Sequence, residues 1–193
     1  IAALTATQIA AIETRDLAAL SASKLGTLSS TQVRALTTDQ LVGLDTAQVN
    51  GLKTTQIAVL TTDQLSAIET RDIAALSSAQ VVALSGTQVG AMTTAQLSGM
   101  DTAQVASIAV ANVSSITTDQ LVALNTAQVA NLTSNQIAAL TATQIAAIET
   151  RDLAALSVSK LGTLSSTQVG ALTTSQLVGL DTAQVNGLKT TQI

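Results

Sequence analysis

The sequence predicts an all-α fold, a solenoid of short capped helices with one octapeptide per unit and about three units per turn. Leu, Ile or Met recurs every eight residues, 24 times without a miss, from Leu4 to Leu188. A second apolar series keeps the same register from Ile9 to Ile193. A fixed short period is typical of proteins in which each unit packs only on its neighbours. Because no linker interrupts the pattern, we expect a single continuous octapeptide-repeat domain over residues 1–193, a fragment of a longer array.

Each octad opens with the sequence of a helix start, as in residues 36–41. The Thr37 hydroxyl can accept from the third following backbone N–H, and Gln40 can reach back to the Thr37 N–H. Leu36 and Leu41 flank this capping box as a hydrophobic staple. Gln fills the fifth position in 18 of 24 octads. We interpret these glutamines as caps; the alternative is a ladder of side chains that bind a ligand.

Two other secondary structures fit the spacing poorly. In one continuous helix, eight residues advance about 800°, so the apolar stripe rotates by ~80° per octad and winds around the helix. In a strand, the odd spacings of five and three place the two apolar series on opposite faces. The remaining possibility is a short helix that begins anew in every octad.

Several octads depart from the capping pattern. Where Glu or Lys takes the cap position, Thr follows, so we expect the cap to slide by one residue; these positions are Glu13, Lys53, Glu69, Glu149 and Lys189. Ala109 is followed by Val110 and has no such replacement, and Asn112 stands where Gln is usual. The sequence therefore predicts a shifted, frayed or bent helix, the first to open, at residues 108–113.

Small residues fill the eighth position of most octads, for example Ala11, Gly43 and Gly51. We expect backbones to meet at these positions. Other glycines form no phosphate-binding loop, since neither GxGxxG nor GxxxxGK[ST] occurs. We interpret them as close-packing or turn positions; they are Gly26, Gly90 and Gly162.

A longer duplication lies above the octad. The segment 1–57 recurs at 137–193, an offset of 17 octads. The copies differ at three pairs of positions: Ala22/Val158, Arg34/Gly170 and Asp39/Ser175. A looser copy at an offset of seven octads repeats Glu-Thr-Arg-Asp of 13–16 at 69–72, and the segment returns at 149–152. Every offset is a whole number of octads, so the octad is the structural unit.

Composition argues against several kinds of function. The chain has no His and no Cys, the residues of most zinc and haem sites and of catalytic triads. We predict no enzyme activity, no catalytic residue, no cofactor, no metal site and no small-molecule substrate. The Glu-Thr-Arg-Asp segments are predicted to be solvated surface charges. The net charge of −4 offers no basic patch, so no nucleic-acid partner is expected, and polar residues interrupt every apolar run, so we expect no membrane insertion.

The sequence pattern Ala-Leu-Thr-Thr-x-Gln-Leu, seen at residues 35–41, resembles the octapeptide-repeat regions of very large secreted bacterial adhesins and surface or filament proteins. The resemblance implies an extracellular or cell-surface protein. It implies a structural role without catalysis, as a stalk, spacer or filament-forming array. Because solenoids normally carry polar capping repeats, we expect end-to-end self-association or continuation in a longer chain.

A second function fits the regular placement of threonine. Rows of Thr could present a flat array, as in ice-binding or adhesive solenoids; they are Thr38, Thr46, Thr54 and Thr62, then Thr94 and Thr102. The alternative function is therefore a Thr-rich binding surface.

Overall fold

A computed structural model describes residues 1–193 and divides into two compact units, Ile1–Met100 and Asp101–Ile193. Both consist of short helices, one to an octad. The first unit contains α1 (Ala6–Ala10), α2 (Thr14–Ala18), α3 (Ala22–Leu25), α4 (Ser30–Arg34), α5 (Thr38–Val42), α6 (Thr46–Asn50), α7 (Thr54–Ile57), α8 (Thr62–Ala67), α9 (Thr70–Ile73), α10 (Ser78–Val82), α11 (Gly86–Ala91) and α12 (Thr94–Ser98).

The second unit contains one 3₁₀-helix, η1, among its α-helices. The elements are α13 (Thr102–Ser107), η1 (Val110–Ser115), α14 (Thr118–Val122), α15 (Thr126–Asn131), α16 (Ser134–Ala139), α17 (Ala142–Ala147), α18 (Thr150–Ala154), α19 (Val158–Leu161), α20 (Ser166–Gly170), α21 (Thr174–Gly179) and α22 (Thr182–Asn186).

Local sequence determines where each helix begins and ends. Helix α8 begins after Thr61, whose backbone is extended and whose side chain accepts from the Gln64 N–H. It ends at Ile68, where the backbone is extended again, and Glu69 then starts the next helix. No residue has a positive φ, so the helices end without a left-handed residue. An octad therefore has room for a helix of only four to six residues.

Helices pack at a constant distance along the chain within each unit. Helix α5 contacts α2 and α8, three octads away in either direction, and α6 contacts α3 and α9. In the second unit, α18 contacts α15 and α21. Polar contacts reach one octad further: Gln64 donates to the carbonyl of Leu36, three octads back, and to that of Val33, four octads back. An octad thus lies over the octads three and four places before it.

Both apolar series lie in the core of each unit. Leu65, from the second series, and Ile68, from the first, are buried in the first unit. Leu121 and Leu124 are their equivalents in the second unit and are also buried. Because each octad buries only two large aliphatic side chains, packing and hydrogen bonds between octads must contribute to the stability of the fold.

The eighth position of the octad holds a small residue because an earlier layer of the chain lies close to it, as predicted. A Cβ on Gly43 would lie 2.5 Å from the Thr14 Cγ2, and a Cβ on Gly51 would lie 2.6 Å from the Ala22 Cβ. Each contact joins this position to a residue 29 places earlier. The eighth position is therefore restricted by the preceding layer and not by local conformation.

The predicted fold class, an all-α solenoid of short capped helices with about three octads per turn, is wrong. The structure is repeat-based, but its regular elements are only short helices separated by turns, with 62% of residues helical and no strands. One element is a 3₁₀-helix. The glutamine contact at 28 residues joins the fifth position of an octad to the first position of the octad three places before it. The physical reason for the difference is that a new helix start in every octad leaves elements of only four to six residues.

The octad predicted to be weak contains the 3₁₀-helix. Element η1 begins after Ala109, which makes no side-chain cap hydrogen bond. The element has the i→i+3 pattern of a 3₁₀-helix, and the Asn112 N–H donates to the Ala109 carbonyl at 2.8 Å. The predicted shift is wrong, because Ala109 keeps the usual N-cap position and only the helix type differs; the early opening of this octad stays a prediction.

Candidate functional site

The glutamine at the third helical position closes a capping box, as predicted. In α8, Gln64 Oε1 accepts from the Thr61 N–H at 2.9 Å, and the Gln64 N–H donates to Thr61 Oγ1 at 3.2 Å. The boxes predicted at Thr37 and Thr173 are also present. These bonds satisfy donors that a helix start otherwise leaves free.

The same glutamines also hold distant octads together, which the sequence did not reveal. Gln64 Nε2 donates to the carbonyls of Val33 at 3.1 Å and Leu36 at 2.7 Å, where α4 ends. One amide therefore caps its own helix with its oxygen and binds the end of an earlier helix with its nitrogen. Since the side chain is buried, both halves of the amide need partners.

This contact recurs in both units with the same offset of 28 residues. The acceptor is always the carbonyl of a residue in the first apolar series. In the first unit the pairs are Gln32–Leu4, Gln40–Ile12, Gln48–Leu20, Gln56–Leu28, Gln64–Leu36, Gln80–Leu52, Gln88–Leu60 and Gln96–Ile68. In the second unit they are Gln136–Ile108, Gln144–Ile116, Gln168–Leu140, Gln176–Ile148, Gln184–Leu156 and Gln192–Leu164.

The Glu-Thr-Arg-Asp segments hold a buried carboxylate, so the prediction of solvated charges is wrong for two of the three. The Asp72 side chain is 1% exposed, and its Oδ1 accepts from Thr46 Oγ1 at 2.5 Å. Asp152 and Thr126 repeat this pair in the second unit. The Asp16 side chain, in contrast, is 63% exposed. The preceding layer, absent from the local sequence, decides whether this aspartate is buried.

Arginine completes each of these segments. Arg71 Nε lies 2.9 Å from a Glu69 carboxylate oxygen and 3.4 Å from Asp72 Oδ1. The guanidinium is largely exposed, so these ion pairs contribute little, about 0–1 kcal/mol each. The arginine supplies a counter-charge to the carboxylate beside it, and the three residues form a structural cluster.

In the octads with Glu at the cap position, the N-cap does not move by one residue to the following Thr, contrary to prediction. Helices α2, α9 and α18 begin in the usual register, with Glu13, Glu69 and Glu149 at the N-cap and no side-chain cap hydrogen bond. At Lys53 the register is also kept, and the Lys53 N–H donates to Gln56 Oε1 at 2.7 Å. Packing between octads fixes the register, and the cap residue adapts to it.

The remaining predicted positions have ordinary structural roles. Gly26 and Gly162 end helices α3 and α19 in right-handed helical conformation, and Gly90 lies inside α11. Of the threonine row, Thr38 and Thr54 are exposed, whereas Thr46 and Thr62 are half-buried. Because successive octads contact different neighbours and Thr46 donates to Asp72, the row is not uniformly exposed.

A shallow cleft of about 300 Å³ opens in the first unit between α4, α8 and α11. Arg34, Val59, Thr61 and Ser85 are among the residues that line it. The duplicated counterpart of Arg34 is Gly170, so the cleft is not a feature that the two copies share.

The helices and the acidic side chains set two further limits. No helix has the length and apolar character that a membrane-spanning segment requires. No three residues among Asp, Glu, His and Cys come together in a way that could hold a metal ion.

Comparison with known families gives one match. The model of the ALTTAQ repeat matches five segments, residues 9–46, 40–70, 65–102, 113–148 and 145–180. Together they span most of both units. No curated protein matches the chain.

Proposed function

Because the chain belongs to the ALTTAQ repeat family, we propose that it is a structural array, serving as a stalk, spacer or filament-forming region without catalysis. The observation that carries this proposal is the glutamine contact at 28 residues, which recurs in both units. A contact of this kind connects backbone to backbone along the chain. It connects the octads and occupies the amides of the buried glutamines.

Other polar groups are used in the same way. Asp72 and Asp152, the carboxylates best placed for acid–base chemistry, are buried against threonine hydroxyls. No buried side-chain nitrogen or oxygen lacks a hydrogen-bond partner. A binding or catalytic centre usually keeps some polar groups available for its ligand. The pairing of every buried polar side-chain atom therefore supports a structural role.

The offsets support a spacer in particular. The same contact repeats every eight residues, for example from Gln32 to the Leu4 carbonyl and from Gln40 to the Ile12 carbonyl. Insertion or removal of whole octads would therefore keep the contacts in register. Such an array can change length in evolution while each layer keeps the same neighbours.

We extend the proposal to location and partners. The resemblance to repeat regions of secreted bacterial adhesins supports an extracellular or cell-surface position. The partner of such an array is a second copy joined end to end, or further octads of a longer chain. Antibodies against the chain should then label intact cells of the source organism, whereas labelling only after permeabilisation would contradict this location.

Deletion in register tests the spacer proposal. Removing residues 37–92, seven octads, joins Leu36 to Thr93 and keeps the pattern. We expect the shortened chain to fold with an unchanged helical fraction, and negative-stain images to show a smaller particle. The matched control removes residues 37–88, six and a half octads, and joins Leu36 to Val89.

The control should lose cooperative unfolding, because the two apolar series fall out of phase at the junction. If both deletions behave alike, the octad register does not organise the chain, and the spacer proposal fails.

A further inference from the structure

The cleft between α4, α8 and α11 has one cationic side chain in its wall. Arg34 lines this cleft of about 300 Å³ and is exposed. The other three arginines, Arg15, Arg71 and Arg151, each lie 2.8 or 2.9 Å from a glutamate carboxylate oxygen. Arg34 takes part in none of the ion pairs of the chain. Its guanidinium, a planar fork of five N–H donors, is therefore available to a ligand.

The fold does not require an arginine at this position. In the duplicated segment the equivalent residue is Gly170, and helix α20 forms with this glycine at its end. Neither helix formation nor packing between octads therefore explains Arg34.

Hydroxyl groups form the rest of the polar wall. Ser85 Oγ accepts from the Gln88 N–H, and Thr61 Oγ1 accepts from the Gln64 N–H, each at 3.2 Å. A hydroxyl that accepts in this way still has its own proton to donate. Thr87 adds a third hydroxyl, and no carboxylate lines the cleft. The polar wall thus offers donors around one positive charge, which suits a ligand with oxygen acceptors and a negative charge.

Aliphatic side chains complete the wall. Val59 takes the eighth position of its octad, where most octads have Ala or Gly. It is half-buried and lines the cleft together with Ala58 and Leu60. The carbon atoms of a small organic molecule can pack against this surface, whereas an inorganic anion gains nothing from it.

We propose that the cleft binds a small organic monocarboxylate that carries hydroxyl groups, the chemistry of a hexuronic acid. The Arg34 guanidinium donates two parallel hydrogen bonds to the carboxylate. The hydroxyls of Ser85 and Thr87 bond to the hydroxyls of the ligand, and its carbon atoms contact Val59. One guanidinium balances one negative charge, whereas a phosphate dianion would add uncompensated charge to a chain that already carries −4. This binding site goes beyond the structural function, which does not depend on it.

Titration of the intact chain with sodium glucuronate, followed by nuclear magnetic resonance, tests the site. We expect saturable shifts of the backbone amides of residues 58–62 and 85–88, with a Kd in the millimolar range because the ligand is small. Glucose lacks the carboxylate, acetate lacks the hydroxyls, and inorganic phosphate lacks the carbon frame. Each should bind at least about tenfold more weakly than glucuronate.

Two variants separate the cleft from the charge of the chain. Arg34→Gln should weaken glucuronate binding at least about tenfold, since it removes the charged fork. The matched control is Arg15→Gln, which removes the same charge from a side chain that is 80% exposed and outside the cleft. It should leave the Kd unchanged. Because both arginines are exposed, both variants should keep the far-UV circular dichroism of the wild-type chain.

Several outcomes would overturn the proposal. One is a glucuronate titration without saturable shifts at residues 58–62 and 85–88. Another is an equal loss of affinity in the two variants, which would reduce the binding to general charge attraction. Unchanged binding by Arg34→Gln would exclude the guanidinium as the anchor. Glucose, acetate or phosphate binding as tightly as glucuronate would show that the cleft does not select a hydroxylated monocarboxylate.

Discussion

The carboxylate of Asp72 accepts a hydrogen bond from the hydroxyl of Thr46, which lies 26 residues earlier in the chain. This bond crosses from one octad to another and buries a charge that the local sequence presents as a surface residue. Its partner is a threonine at the first helical position, where a hydroxyl is not needed for capping. The pair therefore shows that a polar residue in this protein can bond to a later octad as well as within its own helix.

Thr46→Val should destabilise the chain by about 1–3 kcal/mol, because it removes the hydroxyl donor from a buried carboxylate. The matched control is Thr182→Val, the same position of the second copy, where the hydroxyl is exposed. Since the chain has no aromatic residue, urea unfolding is followed by far-UV circular dichroism at a concentration that keeps the chain monomeric. Equal effects of the two substitutions would show that the Asp72–Thr46 bond contributes nothing.

Local features of this fold were predictable, and the reason is distance along the chain. The capping box of Thr37 and Gln40 involves residues three apart, so its chemistry can be read from one octad. The bond from Gln40 Nε2 to the Ile12 carbonyl spans 28 residues. Its offset depends on how octads stack, which no single octad encodes. The stacking of the octads therefore could not be predicted from the capping pattern alone.

The buried aspartate illustrates the same limit. Asp16 and Asp72 each follow the same five residues, Ala-Ile-Glu-Thr-Arg, yet only Asp72 lies on a layer that offers a hydroxyl.

Gln64→Met should cost about 2–4 kcal/mol, because it leaves the buried carbonyls of Val33 and Leu36 without their donor and also removes the cap at Thr61. Gln8→Met removes the same cap from an exposed octad and should cost less than about 1 kcal/mol. Comparison of their urea-unfolding free energies separates capping from contacts between octads. If the two variants lose the same stability, the long-range contact has no energetic role.

Gly51→Ala should destabilise the chain by about 1–3 kcal/mol, since the new Cβ would lie 2.6 Å from the Ala22 Cβ and the backbone would have to shift. Gly170→Ala is the control, because no atom would lie within 4 Å of the added methyl group and alanine favours the helix. That change should stabilise by about 0.5–1 kcal/mol. Thermal unfolding distinguishes the two, and a loss of stability in both would contradict close approach as the cause.

The octad that contains η1 should be the first to open. Amides of residues 109–113 should exchange hydrogen faster than those of residues 37–41, which have a complete capping box. Ala109→Thr supplies the missing hydroxyl and should raise stability by about 0.5–2 kcal/mol. Exchange in the wild-type chain that is equally slow in both segments would show that the absent cap does not weaken this octad.

Glutamine side chains donate hydrogen bonds to carbonyls 28 residues earlier, and nuclear magnetic resonance of the side-chain amides can detect these bonds at single residues. The experiment measures exchange of the Nε2 protons with water and their nuclear Overhauser contacts. We expect slow exchange for Gln64 with contacts to residues 33–36, and fast exchange for Gln8 with local contacts alone. Gln64 protons that exchange as fast as those of Gln8, without contacts to residues 33–36, would show that glutamine does not hold the octads together.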